Sequence, residues 1–151
     1  MNDKQIIEYT AHYERQLVEL ISRVLREQKV IPEGDELIDD DDLYHIPEIY
    51  TGRSRFWICL NNEMVIGTVA IREMNSSTAR LNRMFVATTY HGQGVGQRLL
   101  DHALGFARAE HYKQIILNTH PLMHRAHRFY ERNGFTRVAE ESERYDYHQD
   151  L

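Results

Sequence analysis

Hydrophobic and polar residues alternate with two different periods along the chain. Residues 4–9 have the pattern of a short first strand. From residue 12 onward, apolar residues recur at helical spacing with charged residues mostly on the opposite face, so we expect an amphipathic helix that ends before Pro32. The acidic segment 33–42 follows and leads into a short helix around residues 43–50.

The middle of the chain predicts three strands and a long helix. Strand-like runs cover residues 55–60, 64–72 and 78–87, and the first two are joined by a polar turn at 61–63. Gly67 interrupts the second run, which is typical of a bulge. From Val95 onward, apolar residues again recur at helical spacing.

The last part of the chain predicts one more helix between strands. We expect a strand at 113–119, a helix that begins at Pro121 and ends at Gly134, and final strands at 135–139 and 145–148. With 151 residues, of which 42% are hydrophobic, the chain can bury one sizeable core. We therefore expect a single domain spanning residues 1–151.

Composition and charge argue against several classes of function. The net charge is -5, and no cluster of lysines and arginines interleaved with aromatic residues stands out, which argues against a nucleic-acid partner. No apolar run approaches the ~20 residues of a membrane span, and the first residues lack the features of a signal peptide. Cys59 is the only cysteine, so no internal disulfide can form. We expect a cytoplasmic protein that binds neither nucleic acid nor membrane.

Three alternating glycines, Gly92, Gly94 and Gly96, connect the third central strand to the long helix. Backbone amides at a helix start point outward together and the helix dipole adds positive charge, so the pattern predicts a phosphate or diphosphate site. The residues after Gly96 fit neither a P-loop nor a dinucleotide loop, because Gln97-Arg98 stands there. On the glycines alone, a tight turn without a ligand is a nearly equal interpretation.

Two longer motifs favour the ligand-binding interpretation. Residues 81–100, with Val86 at the strand end and His-Gly-Gln-Gly-Val-Gly at 91–96, resemble motif A of the GNAT superfamily, the acetyl-CoA-dependent N-acetyltransferases. Residues 126–135, Ala-His-Arg-Phe-Tyr-Glu-Arg-Asn-Gly-Phe, look like the family's motif B. The resemblance covers roughly residues 64–138, and the short chain looks like the small bacterial single-domain members. His91 departs from the usual arginine or glutamine.

The resemblance implies an α/β fold with a mixed, mostly antiparallel sheet of six to seven strands flanked by about four helices. It also implies that two central strands splay apart, so that the pantetheine arm of acetyl-CoA inserts between them. A backbone amide near Val86 is implied to bind the thioester carbonyl. The residues implied to bind acetyl-CoA are Met84, Phe85, Val86, His91, Gly92, Gln93, Gly94, Val95, Gly96, Gln97 and Asn118.

Tyr130 matches the tyrosine of motif B, which implies that it protonates the leaving thiolate. A phenol with its usual pKa near ~10 is protonated at neutral pH and can act as such an acid. Spacing alone favours a different role, a core aromatic that packs with Ala126 and Phe129. Met123 stands where many relatives have an asparagine that contacts the cofactor arm, so the resemblance does not carry that contact over.

The general base has no clear candidate in the sequence. Some relatives use a glutamate where this chain has Asn118, and an amide cannot accept a proton. Weaker candidates elsewhere in the chain are His120, Glu48, Glu63 and Glu73.

Two other polar groupings have simple interpretations. The acidic segment 33–42 is expected to be a solvated surface segment, with attraction of a cationic amine as the alternative. His120, His124 and His127 are spaced four and three residues apart, so two of them can share a helix face. Nothing in the spacing implies a complete ligand set, and we expect no metal.

Together these features predict an N-acetyltransferase that moves an acetyl group from acetyl-CoA to the primary amine of a small molecule, by direct attack in a ternary complex. One alternative is acetylation of a protein or peptide amine. Another is a non-catalytic acetyl-CoA-binding module that lost its base at Asn118. A homodimer is implied by the resemblance alone, because relatives often dimerise.

Overall fold

The computed structural model describes residues 4–28, 41–120, 123–138 and 145–151, and within these ranges seven strands form one sheet. The sheet order is β1-β2-β3-β4-β5-β7-β6, and β4 and β5 are the parallel pair among otherwise antiparallel neighbours. This confirms the predicted mixed, mostly antiparallel sheet. The strands are β1 (Lys4–Glu8), β2 (Arg55–Asn61), β3 (Met64–Glu73), β4 (Thr78–Val86), β5 (Gln114–Thr119), β6 (Thr136–Arg137) and β7 (Tyr145–Asp150).

Two long and three short helices lie on the sheet within the described residues. They are α1 (Glu14–Glu27), α2 (Asp41–Tyr44), α3 (Ile46–Ile49), α4 (Val95–Ala109) and α5 (His124–Arg132). Short 3₁₀ turns occupy Ala11–Tyr13 and Thr88–Tyr90. In the part of the chain described here, no helix has the length and apolar character that a membrane crossing requires.

The helix of motif B begins later than predicted. Met123 has a non-helical backbone (φ −87°, ψ 61°), so α5 begins at His124, three residues after Pro121. Pro121 itself lies outside the described residues, as do Pro32, residues 33–40 of the acidic segment and Ala139. Gly134, with φ +91°, ends the helix region as predicted.

The helices cover the two faces of the sheet with separate hydrophobic cores. On one face, α4 packs its buried leucines and alanines against Trp57, Cys59 and Leu81, so Cys59 is the buried small hydrophobe that was expected. On the other face, α1, α2 and α3 pack against Phe56, Ile58 and neighbouring residues. We call these the α4 face and the α1–α3 face.

Gly67 brings α4 close to the sheet. The register of β2 and β3 shifts between Cys59 and Leu60, beside Gly67, which confirms the predicted bulge. A Cβ atom at Gly67 would lie 2.7 Å from Leu99 Cδ1 and 3.2 Å from the carbonyl oxygen of Phe85. The absence of a side chain therefore sets the distance between β3 and the beginning of α4.

The two parallel strands separate after a short paired region. β4 and β5 pair only through Thr78–Gln114, Ala79–Ile115 and Arg80–Ile116. Beyond Arg80, β4 continues for six residues to Val86, while β5 instead remains paired with β7 up to Thr119. This confirms the predicted splayed pair in the centre of the sheet.

Candidate active site

A second bulge lies on β4 within the stretch that has separated from β5. Thr68 pairs with Phe85 and Ala70 pairs with Asn82, so two residues of β4, Arg83 and Met84, stand opposite one residue of β3. Arg83 has φ +52°, in the left-handed region. Its carbonyl oxygen accepts a 2.7 Å hydrogen bond from Thr68 Oγ1.

The side chain of Arg83 reaches the α1–α3 face, where it forms a two-point ion pair. Nη2 lies 2.6 Å from Asp42 Oδ1 and Nε lies 3.1 Å from Asp42 Oδ2, with side-chain exposures of 19% and 17%. The hydroxyl of Tyr50 donates to Asp42 Oδ2 at 3.1 Å and accepts from Asn82 at 3.4 Å. Four side chains therefore form one half-buried polar network beside the bulge.

The network shifts the pKa values of its members. Burial alone would raise the pKa of Asp42, but the hydrogen bonds and charge of Arg83 outweigh it and hold that pKa below its usual value. Burial raises the pKa of Tyr50 to about 12. Asp42 ends the acidic segment that was expected to be solvated, and for this residue that expectation was wrong, because its carboxylate is paired and largely buried.

The glycine loop follows β4 as predicted and opens α4. Gly92 and Gly94 both have φ +80°, and Gly94 is the residue that precedes the first turn of the helix. Residues 92–94 are exposed. Amides in the first turn of a helix have no partner within the helix, so this loop presents a group of main-chain donors.

His91 uses its ring at the junction between strand and loop. Its Nε2 lies 3.1 Å from the carbonyl oxygen of Val86, within hydrogen-bond distance, and the side chain is half-buried. Gln93 points to the far side of the loop, where its side chain bonds Lys4 at 3.2 Å and the carbonyl of Thr89 at 3.3 Å. The loop is thus fixed by its own two polar side chains.

A cavity of about 290 Å³ lies between this loop, the end of β4 and α5. Of the residues expected to bind acetyl-CoA, nine line it, whereas Gln93 and Asn118 do not. Asn118 lies on β5 opposite Asp146 of β7. The nine are Met84, Phe85, Val86, His91, Gly92, Gly94, Val95, Gly96 and Gln97.

The structure adds lining residues that sequence analysis missed. Arg125, Phe129 and Arg132 of α5 line the cavity, and the other lining residues are Val24, Gln28, Tyr90, Met123 and Ala126. The α5 residues are spaced four and three apart, the spacing of one helix face, and this signal was present in the sequence. The two arginines add positive charge to the wall of the cavity that α5 forms.

Tyr130 lies beside the cavity but is not one of its lining residues. It is 5% exposed and packs edge-on against Phe129 and Phe135, with Tyr147 nearby. Burial raises its pKa well above the usual value for tyrosine. The placement matches the core-aromatic interpretation from spacing, and the acid role stays a prediction.

The candidate bases lie elsewhere. Glu63 accepts from Tyr13 at the β2–β3 turn, and Glu73 pairs with Arg53 at 2.7 Å. Neither they nor Glu48 and His120 are among the described residues that line the cavity. His91 is the histidine among the described residues of that lining.

The three histidines near α5 have structural partners. The ring nitrogen Nε2 of His127 lies 3.1 Å from the carbonyl oxygen of His120, and burial lowers the pKa of His127. His124 stands edge-on to His127 with ring centroids 5.9 Å apart. Among the described residues, no three His, Cys, Asp or Glu side chains form a group that could hold a metal ion.

Comparison with solved structures places this architecture among acetyltransferases. An acetyltransferase from Streptococcus agalactiae 2603 superimposes with a TM-score of 0.90 and 28% identity, covering 100% of both chains. The PaiA N-acetyltransferase from Thermoplasma acidophilum, solved in complex with coenzyme A, gives a TM-score of 0.76 over 98% of this chain and 99% of its own, at 15% identity. The second likeness shows a shared fold.

Comparison with curated protein sequences also finds acetyltransferases. N-acetylaspartate synthetase from Xenopus tropicalis is 34% identical over 101 residues, which cover 65% of this chain and 37% of that protein. The chain thus spans well under half the length of the curated relatives it matches. These names support the predicted acyltransferase class. A model of the acetyltransferase (GNAT) family matches residues 16–135, so the chain belongs to that family.

Proposed function

We propose that this protein transfers an acetyl group from acetyl-CoA to a primary amine of a small molecule, by direct attack in a ternary complex. The observation that carries the proposal is the cavity that opens where β4 leaves β5, with the glycine loop and the beginning of α4 as one wall. A splayed strand next to a helix start combines a slot for an extended arm with a site for its diphosphate.

The residues around the cavity fit the chemistry of this co-substrate. Main-chain amides of the loop would hold the diphosphate, and Arg125 and Arg132 would add positive charge beside it. The apolar side chains of Met84, Val86 and Phe129 would enclose the uncharged arm. The complex of the PaiA relative with coenzyme A supports this assignment, because that protein shares the fold.

In the proposed reaction the neutral amine attacks the thioester carbonyl carbon. A C–N bond forms and the C–S bond breaks, the nitrogen loses one proton, and the departing thiolate gains one. A backbone amide near Val86 would stabilise the oxyanion, and one such donor is typically worth ~3 to 4 kcal/mol. Tyr130, which burial keeps protonated at neutral pH, is the proposed donor to the thiolate.

A small-molecule acceptor is favoured over a protein amine by the names of the relatives, several of which are N-acetylaspartate synthetases. A binding module without catalysis has one observation in its favour. No carboxylate is found among the described residues that line the cavity, so the amine would give up its proton to His91, to water or to a group elsewhere.

Thiol release from acetyl-CoA, measured with amino acids, polyamines and a short peptide as acceptors, tests the proposal, and calorimetry reports binding separately. We expect binding of acetyl-CoA and release with at least one small amine. Release with the peptide alone would favour a protein acceptor, and binding without release would favour the module. The absence of binding heat at millimolar acetyl-CoA would overturn the proposal.

A further inference from the structure

The bulge on β4 has an unusual residue at its left-handed position. In bulges where the first residue is left-handed, that residue is most often glycine, which has no Cβ to clash. Here it is Arg83, with φ +52°. A left-handed backbone is unfavourable for a residue with a side chain, so contacts elsewhere must hold it in place.

Those contacts act on Arg83 from two directions. Asp42 holds the guanidinium through two short contacts, at 2.6 Å and 3.1 Å. Thr68 holds the carbonyl group at 2.7 Å. Tyr50 in turn donates to the carboxylate, and Asn82 of the same strand donates to the Tyr50 hydroxyl. The side chain and the main chain of one residue are therefore both restrained.

The bulge determines on which face of the sheet the following side chains lie. Met84 and Val86 pack toward the α4 face and Phe85 toward the α1–α3 face. Leu81, before the bulge, also faces α4, and a regular strand would therefore turn Met84 and Val86 to the opposite face. Met84, Phe85 and Val86 line the cavity, so the extra residue in the bulge determines which side chains form that wall.

We propose that the Arg83–Asp42 ion pair is a positioning device that keeps Arg83 in the bulge and so presents the edge of residues 84–86 to the reacting thioester. The inference rests on the proposed function, because the geometry it maintains serves acetyl transfer. Neither Arg83 nor Asp42 lines the cavity, so both act through the strand. Since Asp42 belongs to α2, the pair also fastens that helix to β4.

Two substitutions of Arg83 separate the effect of its left-handed backbone from the effect of its charge. Arg83→Met removes the ion pair and leaves a Cβ at φ +52°, and we expect kcat to fall at least tenfold. Arg83→Gly also removes the ion pair but adopts the left-handed region freely, and we expect kcat to stay within threefold of wild type. The Kd for acetyl-CoA should change less than threefold in both, because the glycine loop is untouched.

Asp42→Asn weakens the pair from its other end, and we expect a milder loss of kcat than in Arg83→Met. Arg53→Met is the matched control, since it breaks a 2.7 Å ion pair with Glu73 away from the cavity. It should lower Tm without lowering kcat. Hydrogen exchange of the amides of residues 84–86 gives a second readout, which should be faster in Arg83→Met and near wild type in Arg83→Gly.

The results can overturn the inference in distinct ways. Equal losses of kcat in Arg83→Gly and Arg83→Met would show that the charge acts directly, and wild-type kcat in both would show that the bulge needs no support. Either result leaves the proposed function intact. A wild-type protein that binds acetyl-CoA but acetylates no amine would overturn the proposed function, and with it this inference.

Discussion

Two left-handed backbone segments border the cavity, and they are built in opposite ways. In the loop, Gly92 and Gly94 have φ +80° with nothing within 4 Å of where a Cβ would stand, so residue type alone permits the conformation. In the bulge, Arg83 depends on Asp42, 41 residues away in the chain. One half of the site is thus encoded locally by glycines and the other by side-chain contacts between distant segments.

The largest effect is expected at Tyr130, which, like Arg83, is held by side-chain contacts and not by a glycine. Tyr130→Phe should keep the fold and acetyl-CoA binding but lower kcat ~10²-fold, because the thiolate loses its proton donor. Steady-state kinetics over a range of pH, with calorimetry for binding, measure this.

Tyr112→Phe is the control for loss of a buried hydroxyl. Tyr112 is 3% exposed in the same core and donates to the carbonyl of Arg53 at 2.9 Å. The Tyr112→Phe substitution should lower the free energy of unfolding and leave kcat unchanged. If Tyr130→Phe matches wild type at every pH, Tyr130 is a core aromatic with no role in proton transfer.

Among the positions that depend on a glycine, Gly67→Ala should destabilise the fold. The added Cβ would stand 2.7 Å from Leu99 Cδ1 and 3.3 Å from Val95 Cγ1, so α4 must shift away from β3. We expect a loss of roughly 1–3 kcal/mol in the free energy of unfolding, measured in urea. Gly105→Ala, in the same helix with nothing within 4 Å, should instead raise stability, and a similar loss there would contradict this explanation.

Gly94→Ala should weaken acetyl-CoA binding about tenfold, because a Cβ at φ +80° costs about 1–2 kcal/mol and the loop will adjust to relieve it. Gly52→Ala is the matched control. Gly52 has φ +63°, equally open surroundings and no place in the cavity lining. It should lower stability by a similar amount with the Kd unchanged. Equal Kd values for both variants would remove the loop from the binding site.

The smallest effect concerns the acid dependence of the ion pair. The pKa of Asp42 is lowered in the folded protein, so its stabilisation is fully present above the usual pKa near ~3.9 and is lost as pH falls through the folded value. Asp42→Asn should therefore show a shallower loss of unfolding free energy between about pH 5 and pH 3 than wild type. Fluorescence of Trp57, the single tryptophan, can follow unfolding. If the free energy of unfolding falls with pH equally in wild type and Asp42→Asn, Asp42 contributes nothing to acid sensitivity.

Much of the fold was predictable because its signals are local. The alternating strands, the amphipathic helices, the bulge beside Gly67 and the glycine loop each follow from residues close together in sequence. The bulge at Arg83 gave no such signal. Nothing in the residue types at 82–84 indicates a left-handed arginine, and its partner Asp42 looked like part of a solvated acidic run.

Two of the residues predicted to bind acetyl-CoA lie outside the cavity lining, and two lining arginines were not predicted. Gln93 belongs to the loop motif, but the chain turns its side chain toward Lys4 and away from the cavity. Asn118 lies on β5, whose pairing with β7 continues past the point where β4 departs. Arg125 and Arg132 were missed because exposed arginines on a helix are common, and only the position of α5 shows what they face.

The pairing of β4 with β5 ends at Arg80, and this bears on how the protein avoids aggregation. A strand without a neighbour normally sits at the rim of a sheet, where it can recruit other chains and cause aggregation. Here the stretch of β4 beyond Arg80 lies in the middle of the sheet, with Val24 of α1 and Phe129 of α5 bordering the same gap. A second chain that paired with this stretch would have to enter the gap between α1 and α5, so the central position gives β4 a protection that a strand at the rim lacks.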